Sequence, residues 1–365
     1  MPRATRASEP LRALMLAWAV AAAAGACAAG APPGASAAPA AAAGQKSTAP
    51  ATPAQWLERM NTALTTRSYE GTFSHWHGGT VEMLRIFHRL QDGQVAERLV
   101  SLDGSGREFI RTGSSLACYL PDRRTVLVEQ RSAQESLVGF PAINAQTATF
   151  YDIREVARMR LNRRATHVIA VAPRDEFRYG YRLWIDDSTA MPLKTQLCDT
   201  DGRVVEQLVF ADLRMAAHIP DSEFQPEVST AGFQWLRNDA TPPAPAPAAA
   251  AAMWSALKLP PGFRMMLHGA QTLPGSSAPV DHLVFSDGLA SVSVFVEVRP
   301  AGDGATTTEV RSARLGSSSA FSTTANGYKI TAVGEVPPAT VQLIASEVRA
   351  GETAAPAATP AANNH

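Results

Sequence analysis

The chain has 365 residues, longer than one hydrophobic core ordinarily serves, so two domains are expected together with segments that belong to neither. With 45% apolar residues, 18% charged residues and 33 basic against 33 acidic side chains, it is not a disordered polyelectrolyte, a multi-span membrane protein or a basic protein held to nucleic acid by bulk charge. Of the 28 residues from Ala17 to Gly44, 17 are Ala, so the apolar fraction overstates the supply of core side chains.

Residues 1–37 read as an export signal. Arg3, Arg6 and Arg12 precede the apolar run Ala13 to Ala26, which is too short to span a bilayer core of about 30 Å. Ala24-Gly25-Ala26 and Ala35-Ser36-Ala37 both satisfy the small-x-small cleavage rule, and Cys27 after the first of them keeps lipid anchoring open as a rival. Removal of the signal takes three Arg and one Glu, leaving 30 basic against 32 acidic residues and no charge-driven partner. Residues 38–52, mostly Ala, Pro and Gly, make a flexible leader because they have no bulky apolar side chain to offset the entropy of ordering.

The first domain is expected over 53–237. Thr52-Pro53 supplies an N-cap and a first-turn Pro, and Trp56, Leu57, Met60 and Leu64 follow at helical spacing. Period-two runs then predict strands at 69–76, 80–90, 97–102, 107–112, 116–119, 125–130, 166–173, 179–186, 193–199 and 204–213. Asp92-Gly93, Asp103-Gly104 and Asp201-Gly202 supply turns between them. Short connections force antiparallel neighbours, so the expectation is a mostly antiparallel α+β fold: one large curved sheet or open barrel with a helix on one face. The stretch 131–164 reads as a less regular segment: a lid, a small helical insertion or a binding loop. Residues 238–252, with four Pro and no aromatic side chain, read as a semi-extended linker. A smaller α+β domain is expected over 253–350, with strands at 282–286, 290–299, 306–315, 320–326 and 328–335 and a closing helix through Val341, Leu343, Ile344 and Val348. The tail 351–365 is expected to be disordered.

The search for chemistry is mostly negative. No G-x-S-x-G elbow, phosphate-cradling glycine loop, H-E-x-x-H or C-x-x-C is found, so no catalytic residue, metal site or cofactor is assigned. His75, His77 and His88 resemble a metal cluster, but spacing fixes no third ligand and they read as ordinary polar residues. Asp175-Glu176 and Asp186-Asp187 read as turn chemistry. Cys118 and Cys198 sit in strand-like runs, where they can pair in an oxidising compartment or stay free as core thiols. Arg158, Arg160, Arg163 and Arg164 put four guanidinium groups in seven residues, candidates for an anion site against a plainly solvated loop. Phe73, Met83, Phe140, Trp184 and Phe210 are core residues or the lining of a lipid-sized pocket.

Tyr69-Glu70-Gly71-Thr72-Phe73, Glu97 through Gly104, Cys118-Tyr119-Leu120-Pro121-Asp122 and Arg178 through Asp186 resemble the RseB/MucB family of periplasmic sigma-E regulators. In the second block His282 through Gly288, Ser291 through Phe295 and Val333 through Pro337 are similar to that family's C-terminal domain. Leu161-Asn162 departs from the family's usual smaller segment. The resemblance implies a non-enzyme: an N-terminal half-open barrel like the lipoprotein carrier LolA, with helices on its concave face, and a smaller C-terminal domain. It implies a periplasmic location and binding to the periplasmic region of an RseA/MucA-like anti-sigma factor. That region would be shielded from site-1 proteolysis until lipopolysaccharide or another envelope lipid binds. The aromatic set and Met83 are then lipid-binding candidates, and the four Arg candidates for lipid phosphates. A LolA-type lipid carrier is the alternative, and a homo-oligomer stays open.

Overall fold

The computed structural model describes residues 51–130, 136–138, 140, 141, 143, 147–216, 218–238, 254–272, 279–298 and 310–351. The expected signal, the leader up to residue 50, the linker beyond Asn238, the tail beyond Gly351 and Cys27 lie outside them.

Helix α1 (Pro53–Thr66) starts at a capping box: the Thr52 hydroxyl accepts from the Gln55 amide at 3.3 Å while the Gln55 side chain accepts from the Thr52 amide at 2.8 Å. Its apolar stripe Trp56, Leu57, Met60 and Ala63 is buried, at about 1.5–3 kcal/mol for each large side chain removed from water. That stripe packs on one face of a twelve-stranded sheet made of β1 (Tyr69–His77), β2 (Thr80–Gln91), β3 (Gln94–Ser101), β4 (Glu108–Thr112), β5 (Ser115–Leu120), β6 (Thr125–Gln130), β7 (Tyr151–Leu161), β8 (Arg164–Pro173), β9 (Gly180–Asp186), β10 (Pro192–Cys198), β11 (Val204–Met215) and β12 (Gln234–Asn238). The strand order is β12-β6-β5-β4-β3-β2-β1-β11-β10-β9-β8-β7. Two antiparallel meanders are therefore joined where β11 returns to pair with β1, and the outer strands β12 and β7 do not meet. The result is a half-open barrel with α1 on its inner face.

The second domain contains β13 (Trp254–Ala256), β14 (Arg264–Thr272), β15 (Pro279–Ser286), β16 (Ser291–Val298), β17 (Arg311–Leu315), β18 (Ser318–Ala325), β19 (Tyr328–Gly334), α2 (Pro338–Glu347) and β20 (Val348–Ala350). Six strands form an antiparallel sheet in the order β14-β15-β16-β19-β18-β17, and β13 pairs with β20 beside it. Alternate residues Val292, Val294 and Val296 meet Ile330 and Ala332 and the α2 side chains Val341, Ile344 and Ala345 in a core of the domain's own.

Five strands, β7, β12, β13, β14 and β20, depart from the sequence reading, and Val348, expected in the closing helix, opens β20. The stretch 131–164 is not irregular throughout: from Tyr151 it is β7, paired along its length with β8. As an edge strand β7 exposes consecutive residues from Val156 to Arg160, so no period-two pattern marks it. Its turn to β8 places Asn162 and Arg163 at φ 47° and 66°, a conformation that Gly usually signals. Strand β12 pairs in parallel with β6, more than a hundred residues earlier, and exposes Trp235 and Leu236. Strand β14 carries a register shift between Met265 and Leu267 that breaks its alternation. Cys118 on β5 and Cys198 on β10 form no disulfide with each other, because five strands at about 4.8 Å each lie between them.

Candidate functional site

The inner face carries a row of aromatic side chains. Phe73 on β1 and Phe210 on β11 are buried with ring centroids 5.3 Å apart, and Phe140 stacks on Phe210 at 6.4 Å. Met83 and Trp184 do not join them. Pairing of Phe73 with Leu84, and of α1 with Leu183 and Ile185, puts Met83 and Trp184 on the opposite face. There Trp184 donates to the Met159 sulfur at 3.3 Å and lies under the Lys194 ammonium.

Phe140 belongs to a cover that is anchored by a buried carboxylate. Glu97, fully buried on β3, accepts from the Leu137 amide (2.9 Å) and the Ser136 hydroxyl (2.9 Å), and pairs with His88 (2.8 Å) and Arg111 (3.1 Å). Burial pushes its pKa up, but His88, Arg111 and the Leu137 amide outweigh burial and hold it below the ordinary value. Asn61 of α1 donates to the Ile143 carbonyl at 2.9 Å, fixing the other end of the cover. His88 is thus a partner of Glu97 and stands apart from His75 and His77, whose rings stack at 5.8 Å. Among the described residues no group of His, Cys, Asp and Glu is arranged to hold a metal ion.

The four arginines lie along the β7–β8 hairpin and differ in what they hold. Arg158 pairs with Glu155 at 2.6 Å and Arg164 with Asp186 at 2.6 Å. Arg160 donates to the Arg163 carbonyl, and neither Arg160 nor Arg163 has a carboxylate within ion-pair distance among the described residues.

The densest chemistry lies where the two domains meet. Arg178, in the β8–β9 connection, is fully buried although every one of its donors is polar. It donates to Asp175 (3.0 Å), to Asp287 of the β15–β16 turn (2.5 Å) and to the Pro261 carbonyl (2.5 Å), with the rings of Phe150, Tyr151 and Phe263 5.0 to 5.6 Å from its guanidinium carbon. Asp287 spends its other oxygen on the Leu289 and Ala290 amides, so one carboxylate shapes the turn and holds the first domain. Leu289 then enters the α1 core cluster. The Thr340 hydroxyl at the start of α2 donates to the Phe177 carbonyl at 2.6 Å. Gly262, at φ 80°, lies so close to the Phe150 ring that a Cβ would overlap it.

A second contact closes the rim of the inner face. Glu206 on β11 pairs with His75 at 2.8 Å and lies 3.5 Å from His77. The β17–β18 turn meets it: the Ser317 hydroxyl is 2.9 Å from Glu206 and in short contact with Glu335, just past β19. Asp287 and Arg178 were visible in the sequence only as members of family-like runs; their partnership across 109 residues has no local signal.

The family model described as MucB/RseB N-terminal domain matches residues 52–228, and that described as MucB/RseB C-terminal domain matches residues 248–349. The sigma factor AlgU regulatory protein MucB of Pseudomonas aeruginosa is 32% identical over 308 residues, covering 83% of this chain and 92% of that protein. The sigma-E factor regulatory protein RseB of Escherichia coli K12 is 29% identical over 312 residues, covering 84% and 93%. The Pseudomonas aeruginosa MucA/MucB complex superposes with a TM-score of 0.65 at 30% identity, covering 82% of this chain and 99% of that one. A crystal structure of MucB superposes with a TM-score of 0.54 at 29% identity, covering 81% of this chain and 96% of that one. By both domain models and by these relatives, the chain belongs to the MucB/RseB family.

Proposed function

We propose that this chain is an exported periplasmic regulator that binds the periplasmic region of a MucA/RseA-like anti-sigma factor. By shielding that region from site-1 proteolysis it restrains a sigma-E type envelope stress response, and it is not an enzyme. The observation that carries the reading is the match to MucB in its MucA complex, which extends over both domains and is better than the match to MucB alone at similar coverage. A peptide partner needs a surface whose two halves keep a fixed relation, and the buried Arg178–Asp287 pair supplies one.

The release signal in this reading is lipopolysaccharide or another envelope lipid. An acyl chain would enter against Phe73, Phe140 and Phe210, which requires the cover over 136–143 to yield. Of the four hairpin arginines, Arg160 and Arg163, which have no carboxylate within ion-pair distance among the described residues, would meet phosphate groups. A lipid that prefers one domain arrangement weakens peptide binding by its differential affinity for the two arrangements. The test is a pull-down of the mature protein with the anti-sigma periplasmic segment, with and without lipopolysaccharide. Capture that lipopolysaccharide reverses is expected. Absence of capture, together with transfer of acyl chains to a second protein, would favour a lipid carrier.

A further inference from the structure

Two carboxyl groups from different domains meet in the second contact, and their geometry requires a proton. Ser317 is fully buried, and its oxygen reaches both Glu206 and Glu335. A hydroxyl has one proton to give, so it can serve one carboxylate only; the other contact exists only if that carboxyl is itself the donor. Glu206 is the acceptor, since His75 and His77 stand beside it on β1. Glu335 has no cation in contact among the described residues and faces Glu206, Ser317 and the partly buried Tyr181 of β9. Glu82 of β2 lies behind His77, and Tyr179 and Arg314 complete the surroundings.

We propose that Glu335, Ser317 and Glu206 form a proton-operated latch between the two domains, in which docking takes up a proton and acidification tightens the docked arrangement. Undocking would expose Glu335 further to water, where it ionises; redocking it ionised would set two carboxylates against one buried hydroxyl in a part-buried junction.

The titration behaviour agrees in sign. Burial, then the neighbouring Glu206, push Glu335 from 4.5 up to about 8. Its contribution to docking is therefore complete below about 4.5 and is lost as pH rises towards 8. The hydrogen bond with Glu206 raises His77 from 6.5 against the opposing effect of burial, but both residues belong to the first domain and stay paired when the domains part, so this shift does not drive docking. Burial pushes Glu206 up, but His75, His77 and Glu335 overcome it and hold it low, so its contribution is lost only in acid well below 4.5. Between pH 5 and 8 Glu335 is the group linked to docking, and one linked proton changes the docking constant about tenfold per pH unit.

The proposal concerns domain docking alone, so its test contains no peptide and does not depend on the anti-sigma reading. Small-angle scattering of the full chain is recorded from pH 5.5 to pH 9, with Glu335→Gln alongside. The wild type is expected to lose docking and lengthen as pH rises, whereas Glu335→Gln, whose amide donates at every pH, stays docked throughout. A wild-type profile that is flat across this range overturns the latch, and this alone decides the matter if the variant does not fold. A folded Glu335→Gln chain with the wild-type pH profile overturns it equally.

Discussion

At the scale of single residues, the buried charges are the points at which the molecule is most sensitive. Arg178 is enclosed by two carboxylates, a carbonyl and three rings, so removing it strands Asp287 without a counter-charge. Arg178→Ala should cost about 3–5 kcal/mol in chemical unfolding, and Arg178→Lys should recover only part because an ammonium cannot serve three directions from one plane. Glu97 makes the same prediction inside the first domain. Glu97→Gln should speed amide exchange at Leu137 and Val138 while leaving β9 to β11 protected, since the cover loses its anchor and the far half of the sheet does not. Because Glu97 is held below 4.5, its stabilisation is present above that pH and is lost on acidification through its lower folded value, so the variant should show a shallower acid limb in a stability profile. These roles were poorly legible in sequence. Glu97 was part of a family-like run, but nothing local announced that it receives a segment 40 residues later.

At the scale of elements, period-two alternation served wherever a strand has one buried and one wetter face. The hairpin β2–β3 turns at Asp92-Gly93 with φ 51° and 74°, and β18–β19 turns at Asn326-Gly327 with 51° and 80°, as those residue pairs signal. The same logic failed at β7, where the edge position removed the alternation and Arg163 occupies a left-handed turn position without being Gly. Arg163→Gly should therefore stabilise the chain by up to about 1 kcal/mol in urea unfolding, relief of strain being partly offset by the freer unfolded chain. Gly262→Ala should do the reverse and more strongly, because it adds both a left-handed strain and an overlap with Phe150. Chemical modification under denaturing, non-reducing conditions should find Cys118 and Cys198 both reactive, and a reductant should leave the melting temperature unchanged, since their strands are too far apart to pair.

At the scale of the whole molecule, the neutral charge balance and the Ala-rich segments leave two cores joined by a compact polar junction. The sequence resolved the two blocks and the half-open sheet, because composition breaks and alternation are local properties. It could not resolve the junction, whose partners lie about a hundred residues apart and belong to different domains. In the proposed function that junction is the arrangement of domains that a peptide would stabilise and a lipid would oppose. The most direct measurement is a calorimetric titration of the full mature chain with the periplasmic segment of its anti-sigma factor, repeated after addition of lipopolysaccharide. The account predicts saturable binding that lipopolysaccharide weakens at least tenfold; no binding, or binding that lipopolysaccharide leaves unchanged, would contradict it.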